Sequence, residues 1–168
     1  MNAELLIALT GFAFVTLASP GPNNMMLMAS GANFGMRRTV PHMLGVSLGF
    51  GAMVLLLGLG LDQIIAGSPL LEEVLKWLSM AYMLWLAWKI ATSAPPVEGA
   101  AVGQPMTFLQ AAAFQWVNPK AWAMALGALS AYAAGVGGAL VVAAIFAVLG
   151  LPTLSVWVVM GQALRSFL

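Results

Sequence analysis

The sequence has no cysteine and a single histidine, His42. The first absence removes disulfides, thiolate nucleophiles and Cys-ligated metals, and one imidazole cannot build a metal site alone. Charge is scarce as well: only 7% of the 168 residues are Asp, Glu, Lys or Arg, where a soluble domain carries about a quarter. Six Lys and Arg spread along the chain cannot neutralise a row of phosphates, so nucleic acid is excluded as a partner. What fills the sequence is 62% hydrophobic residues, which also excludes a disordered chain. Most of this surface must meet lipid. We expect an all-α integral membrane protein, because backbone polar groups in hydrocarbon have to be satisfied within each spanning segment. No cofactor is expected; Met25, Met26 and Met28 and the six tryptophans read as packing or lipid-facing residues.

The gaps between ionisable residues set the spans. A bilayer core of about 30 Å needs roughly 20 apolar residues. Met43 to Leu61, Leu70 to Ala91, Met106 to Tyr132 and Ala139 to Met160 each fit, the last with a bend expected at Leu151-Pro152. Leu5 to Met36 holds 32 residues without a charge, about 48 Å as a straight helix, too long for one span and too short for two. The break falls at Ser19-Pro20-Gly21-Pro22-Asn23-Asn24, where two prolines lack amide donors and a glycine relaxes the backbone. A secretory leader over Leu5 to Ala18 is disfavoured, since Glu4 stands where such leaders carry Lys or Arg. The count is five spans, the first one broken.

Five spans put Arg37, Arg38, Lys89 and Arg165 on one side of the membrane and Lys76 with Asp62, Glu72 and Glu73 on the other. The basic side is expected to be cytoplasmic, which places the N-terminus outside and the Arg37/Arg38 loop inside. The Pro/Gly/Ala-rich stretch 93–105 reads as a cytoplasmic linker between a first repeat, 1–92, and a second, 106–168. Each repeat opens with a span broken at proline, 19–24 in the first and 118–120 in the second. Because these are the first and fourth spans, the repeats enter the membrane from opposite sides, the pattern of an inverted-topology repeat.

A broken helix in lipid has a use. Pro22 and Pro119 suit the first position of a new half-helix, with Gly21 or Asn118 as its cap. The amides at such a start make an anion site, and unwound carbonyls just before it can accept from an ammonium, so both ends of an amino acid are provided for. Ser19, Pro20, Asn23, Asn24 and Gln115 add neutral groups at the same depth, completing a candidate substrate site with Gly21, Pro22, Asn118, Pro119 and Lys120. A cation at the depth of Lys120 costs about 2.5 to 3.5 kcal/mol on insertion scales, so it must face protein or water. No Asp or Glu lies deep in a span, which leaves His42 and Lys120 as candidates for proton coupling. Gly45 and Gly49, and the stripe Ala139, Ala143 and Ala147, are candidate helix-packing positions.

The run from Ala18-Ser19-Pro20-Gly21-Pro22-Asn23-Asn24 through Ala29-Ser30-Gly31-Ala32-Asn33-Phe34-Gly35 to Pro41-His42-Met43-Leu44-Gly45 resembles the amino-terminal signature of the lysine exporter family. Asn118-Pro119-Lys120-Ala121-Trp122 resembles that of its second half. The resemblance implies a multi-pass exporter in a bacterial inner membrane, moving amino acids or their derivatives outward on the proton gradient, and no enzyme. A homo-oligomer is compatible with it. The family usually has six hydrophobic segments in two three-helix repeats, so the second repeat here is expected to be one helix short, through truncation or a natural short form. No acidic residue near either break argues for a basic side chain, and neutral substrates are expected. The alternative expectation is a passive channel or a non-transporting membrane subunit.

Overall fold

The computed structural model describes residues 1–92 and 103–167, which are helical almost throughout. Helix α1 (Ala3–Ala18) starts at Asn2, whose Oδ1 accepts from Leu5 N at 2.9 Å. After a three-residue break comes α2 (Pro22–Leu56), then a π-turn (Leu57–Leu61), the short α3 (Asp62–Ala66) and α4 (Pro69–Ala91). The second half holds α5 (Phe108–Phe114), a 3-10 turn (Gln115–Val117), α6 (Pro119–Tyr132) and α7 (Gly135–Phe167). α5 opens with a capping box: Thr107 Oγ1 accepts from Gln110 N at 3.3 Å and Gln110 Oε1 from Thr107 N at 3.0 Å. Of the expected linker, residues 93–102 lie outside the described residues.

The span α2 comprises two helices that meet at Gly35, whose φ of 76° and ψ of 170° are helical in neither sense. Residues nine apart in a straight helix are separated by roughly 13 Å along the axis, yet Ser30 Oγ and Thr39 Oγ1 are 2.9 Å apart. Thr39 gives its proton to Gly35 O, so Ser30 is the donor of that pair. The chain therefore forms a hairpin with arms 22–34 and 36–56. Both arms pack on α7. The first runs in the same direction, with Met28 against Gly161 and Arg165 reaching Ala32 O at 3.1 Å. The second runs opposite, with Gly51 against Ala143 and Ala147 and, in the π-turn beyond it, Gly58 against Ala139.

The hairpin alters one expectation. Arg37 and Arg38 lie not in a loop but in the first turn of the second arm, because one glycine makes the whole reversal. His42 likewise sits within the helix and is 1% exposed. The bend expected at Pro152 leaves α7 a single helix, in which Thr153 and Ser155 hydroxyls donate to Leu149 O and Leu151 O.

Apolar side chains fill the core and also much of the surface, and a few polar ones are buried among them. Ile7, Leu109 and Val148 are each more than two-thirds exposed, while Asn24, Ser47, Gln115 and Asn118 are buried. Pro22–Ile65 and Gly137–Arg165 are long and apolar enough to cross a bilayer. Between lipid-facing helices there is little hydrophobic driving force, and small residues let backbones approach until dispersion contacts hold them. Gly45 lies under Phe108 O and the Ala111 methyl, Gly49 under Ala112, and Gly31 under Val158 O. A larger cluster gathers Leu9, Ala13 and Leu17 of α1 with Phe50, Met53, Ala121, Ala125 and Phe146. The break between α1 and α2 is thereby pressed against α6.

A side chain at Gly161 would meet the Met28 carbonyl, whereas one at Gly11 meets nothing within 4 Å. Gly161→Leu should lose about 1–3 kcal/mol to overpacking, seen as a lower midpoint of thermal unfolding by circular dichroism in detergent, while Gly11→Ala should unfold no earlier than the parent. Gly35→Ala should cost about 1–3 kcal/mol, because an L side chain resists that backbone conformation. An unchanged midpoint for Gly35→Ala would contradict the hairpin.

Candidate functional site

The first break spans Ser19 to Gly21. α1 ends at Ala18 and Ser19 turns extended, with ψ 144°. Asn24 stitches the gap, its Nδ2 donating to Leu17 O and Ser19 O at 2.8 Å each. These are terminal carbonyls of α1 that would otherwise be orphaned in hydrocarbon. Pro22 begins α2 with Gly21 as its N-cap, and Gly21 supplies no side chain to the first amides. Gly21 is itself extended, φ −177° and ψ 175°, a conformation open to any residue. The sequence reading of a glycine that relaxes the backbone is thus replaced by one of space: a Cβ there would lie 2.6 Å from Lys120 Cδ and 3.0 Å from Nζ.

The second break is built differently. The 3-10 turn Gln115–Val117 leads into Asn118, and Pro119 begins α6. Asn118 Oδ1 accepts from Lys120 N at 3.1 Å, and its carbonyl accepts from Ala121 N and Trp122 N. The start of α6 is therefore satisfied by its own cap, while that of α2 lacks a side-chain cap. Trp122 Nε1 closes the turn on Trp116 O at 2.9 Å.

The two breaks meet. Asn23 and Gln115 pair as amides, Asn23 Nδ2 donating to Gln115 Oε1 at 2.9 Å and Gln115 Nε2 to Asn23 Oδ1 at 3.2 Å; Gln115 Nε2 also reaches Ala111 O at 2.8 Å. Lys120 crosses from the second break to the first. Its Nζ donates to Ser19 O at 2.6 Å, Ser19 Oγ at 2.8 Å and Pro20 O at 3.4 Å. Ser19 Oγ in turn donates to Thr16 O. Between these groups is a void of about 30 Å³, lined by Thr16, Gly21, Asn23, Asn24, Ser47, Gln115, Asn118 and Lys120 with Phe50 and Phe146. That is room for a water or two. Among the described residues, no Asp or Glu lines it.

Of the candidate site residues, Ser19, Pro20, Gly21, Asn23, Asn24, Gln115, Asn118 and Lys120 come together here, and Pro22 and Pro119 frame the half-helix starts. His42 does not join them. It borders a second, open cavity of about 790 Å³ with Ser30, Asn33, Tyr82 and Gln110, and neither ring nitrogen has a hydrogen-bond partner among the described residues. The candidate proton carriers are thus in separate places. Ser47 and Thr16, unassigned from sequence, line the void; Ser47 Oγ donates to Ala147 O at 2.7 Å, which ties α2 to α7 beside the site. Gly45 and Gly49, on either side of Ser47, marked a packing face and gave no sign of the void. Gly45 and Gly49 face α5, and Ala139, Ala143 and Ala147 face the π-turn and the second arm of α2.

Residues 14–167 match the model of the LysE type translocators. The chain is 37% identical over 133 residues to cysteine/O-acetylserine efflux proteins of Escherichia coli strain K12 and Shigella sonnei strain Ss046, an overlap of 79% of this chain and 67% of each relative. No solved structure matches it. With both helix breaks inside the matched stretch, the chain belongs to the LysE type translocator family.

Proposed function

We propose that this chain exports neutral amino acids or their derivatives across a bacterial inner membrane by alternating access. The observation that carries the reading is the meeting of two helix breaks at a void that Asn23, Asn24, Gln115, Asn118 and Lys120 reach and that no carboxylate lines among the described residues. Backbone irregularity at membrane depth is tolerated where it lines a cavity, and there it supplies amides and carbonyls that recognise charged termini without a dedicated ion pair. The relatives are named for cysteine and O-acetylserine efflux, and both compounds pair two charged ends with an uncharged side chain. A lining without Asp or Glu suits that chemistry and disfavours a basic side chain.

In this reading the chain crosses the membrane five times as two inverted repeats, 1–92 and 106–168, with the N-terminus outside and Arg37 and Arg38 in the cytoplasm. The substrate carboxylate approaches the half-helix starts, and one repeat rocks against the other. The driving force is the proton gradient. His42 is the candidate to carry the proton, being buried, unpartnered and set on the wall of an open cavity; Lys120 is the other, through its place at the void.

The test is efflux. Bacteria expressing the chain are loaded with amino acids from dipeptides, and external amino acid is followed over time. The parent should raise it several-fold above an empty vector, and Lys120→Met and Pro22→Ala at equal membrane abundance should fall to the vector level. Equal export by all four strains would sink the proposal. In proteoliposomes, uphill accumulation is expected; equilibration alone would identify a passive channel.

A further inference from the structure

The oxygens of the first break are already in use. Ser19 O, Ser19 Oγ and Pro20 O converge on one cation, and that cation is the chain's own Lys120 ammonium, at 2.6, 2.8 and 3.4 Å. A lysine ammonium and the α-ammonium of an amino acid are the same group, a primary –NH₃⁺ with three donors and no acceptor. The unwound carbonyls can serve one of them at a time. The void of about 30 Å³ beside them admits a water or two, not an amino acid. The site is therefore filled by a side chain with the chemistry of half its ligand.

We propose that Lys120 is a resident stand-in for the substrate's α-ammonium, and that loading is an exchange. The α-ammonium takes the Ser19 and Pro20 oxygens, and the displaced Lys120 ammonium pairs with the substrate carboxylate beside the uncapped start of α2. The substrate's identity rests on the exporter reading; the exchange itself does not. Charge bookkeeping favours it. Before loading, one cation is held by three neutral oxygens; afterwards two cations share those oxygens and one carboxylate, so the site gains no net charge. A simple amine has no carboxylate to receive Lys120, and its arrival would set two cations side by side with no Asp or Glu among the described residues lining the void. A simple carboxylate would draw Lys120 away and leave the oxygens empty. The ligand class that satisfies every group is a free α-amino acid with both ends ionised.

Gly21 belongs to the same device. Its missing Cβ leaves the space through which the lysine stem passes, and a methyl there would meet Lys120 Cδ at 2.6 Å. Gly21→Ala thus dislodges the stand-in without altering its charge, and Lys120→Met removes the charge altogether.

The exchange predicts a gain of binding. The purified full chain in detergent is titrated with O-acetyl-L-serine, L-cysteine and ethylamine, and the unfolding midpoint is followed. The parent should be stabilised by either amino acid and left unmoved by ethylamine. In Lys120→Met the vacated oxygens should accept ethylamine, with half-maximal stabilisation at a concentration about tenfold or more below the highest that leaves the parent unmoved, while the amino-acid response weakens. Gly21→Ala should gain ethylamine binding in the same direction, which keeps the test alive should Lys120→Met fail to fold. Ethylamine stabilising the parent as strongly as the amino acids, a parent that responds to neither amino acid, or folded variants that ignore ethylamine would each overturn the exchange. Binding that follows this pattern in a chain that exports nothing would leave the exchange standing and remove the exporter reading.

Discussion

A peptide group in hydrocarbon has no water to fall back on, so each interruption of a spanning helix must find partners inside the protein or face a cavity that supplies them. Breaks at Ser19–Gly21 and at Asn118 raise that requirement, and most of the structure around them answers it. Asn24 turns back onto the last carbonyls of α1, Asn118 covers the first amide of α6, and Gln115 and Asn23 close on one another. After those bonds are counted, two groups are left with a role beyond local repair. One is the start of α2, where Gly21 provides no side-chain cap. The other is the trio of oxygens at Ser19 and Pro20, which hold an ammonium brought from the opposite break.

Packing makes that juxtaposition durable. Lipid tails are as apolar as leucine, so the helices are held by close backbone approach at Gly31, Gly45, Gly49, Gly58 and Gly161. The hairpin at Gly35 lays both arms of α2 on α7, and Ser47 hydrogen-bonds Ala147 O where the second arm passes the void. An apolar core of Leu9, Phe50, Met53 and Phe146 encloses the few buried polar side chains, and large apolar side chains also face outward, where the surrounding medium is of low dielectric. Within that shell the amides and hydroxyls at the breaks sit in fixed orientation, which is how neutral groups come to recognise ionised ones.

Much of the site could be read from the amino acids in order. Proline fixes φ and removes a donor, so Pro22 and Pro119 announce helix starts wherever they occur, and Asn118 before Pro119 is a cap by chemistry alone. The turn at Gly35 could not be read this way. Its neighbours Phe34, Met36, Arg37 and Arg38 are ordinary helix residues, and glycine in a membrane helix more often marks close packing than reversal. The reason for Gly21 was also hidden, since the lysine stem that crowds it comes from 99 positions further along the chain. The partners of Lys120, the capping role of Asn24 and the separation of His42 from the breaks are all tertiary facts. Spacing could nominate those residues but not pair them.

The central claim is that the paired breaks form a single chamber that opens to one side of the membrane at a time. Because the chain has no cysteine, Ser47→Cys and Thr16→Cys place lone thiols on the wall of that chamber with little change of volume. Labelling by a membrane-impermeant maleimide, applied to right-side-out and to inverted vesicles, reads which face reaches them. Reaction is expected from one face, as the substrate-free protein opens, with protection by O-acetyl-L-serine. Thiols that stay unlabelled from both faces, or that react equally from both with or without the amino acid, would contradict that claim.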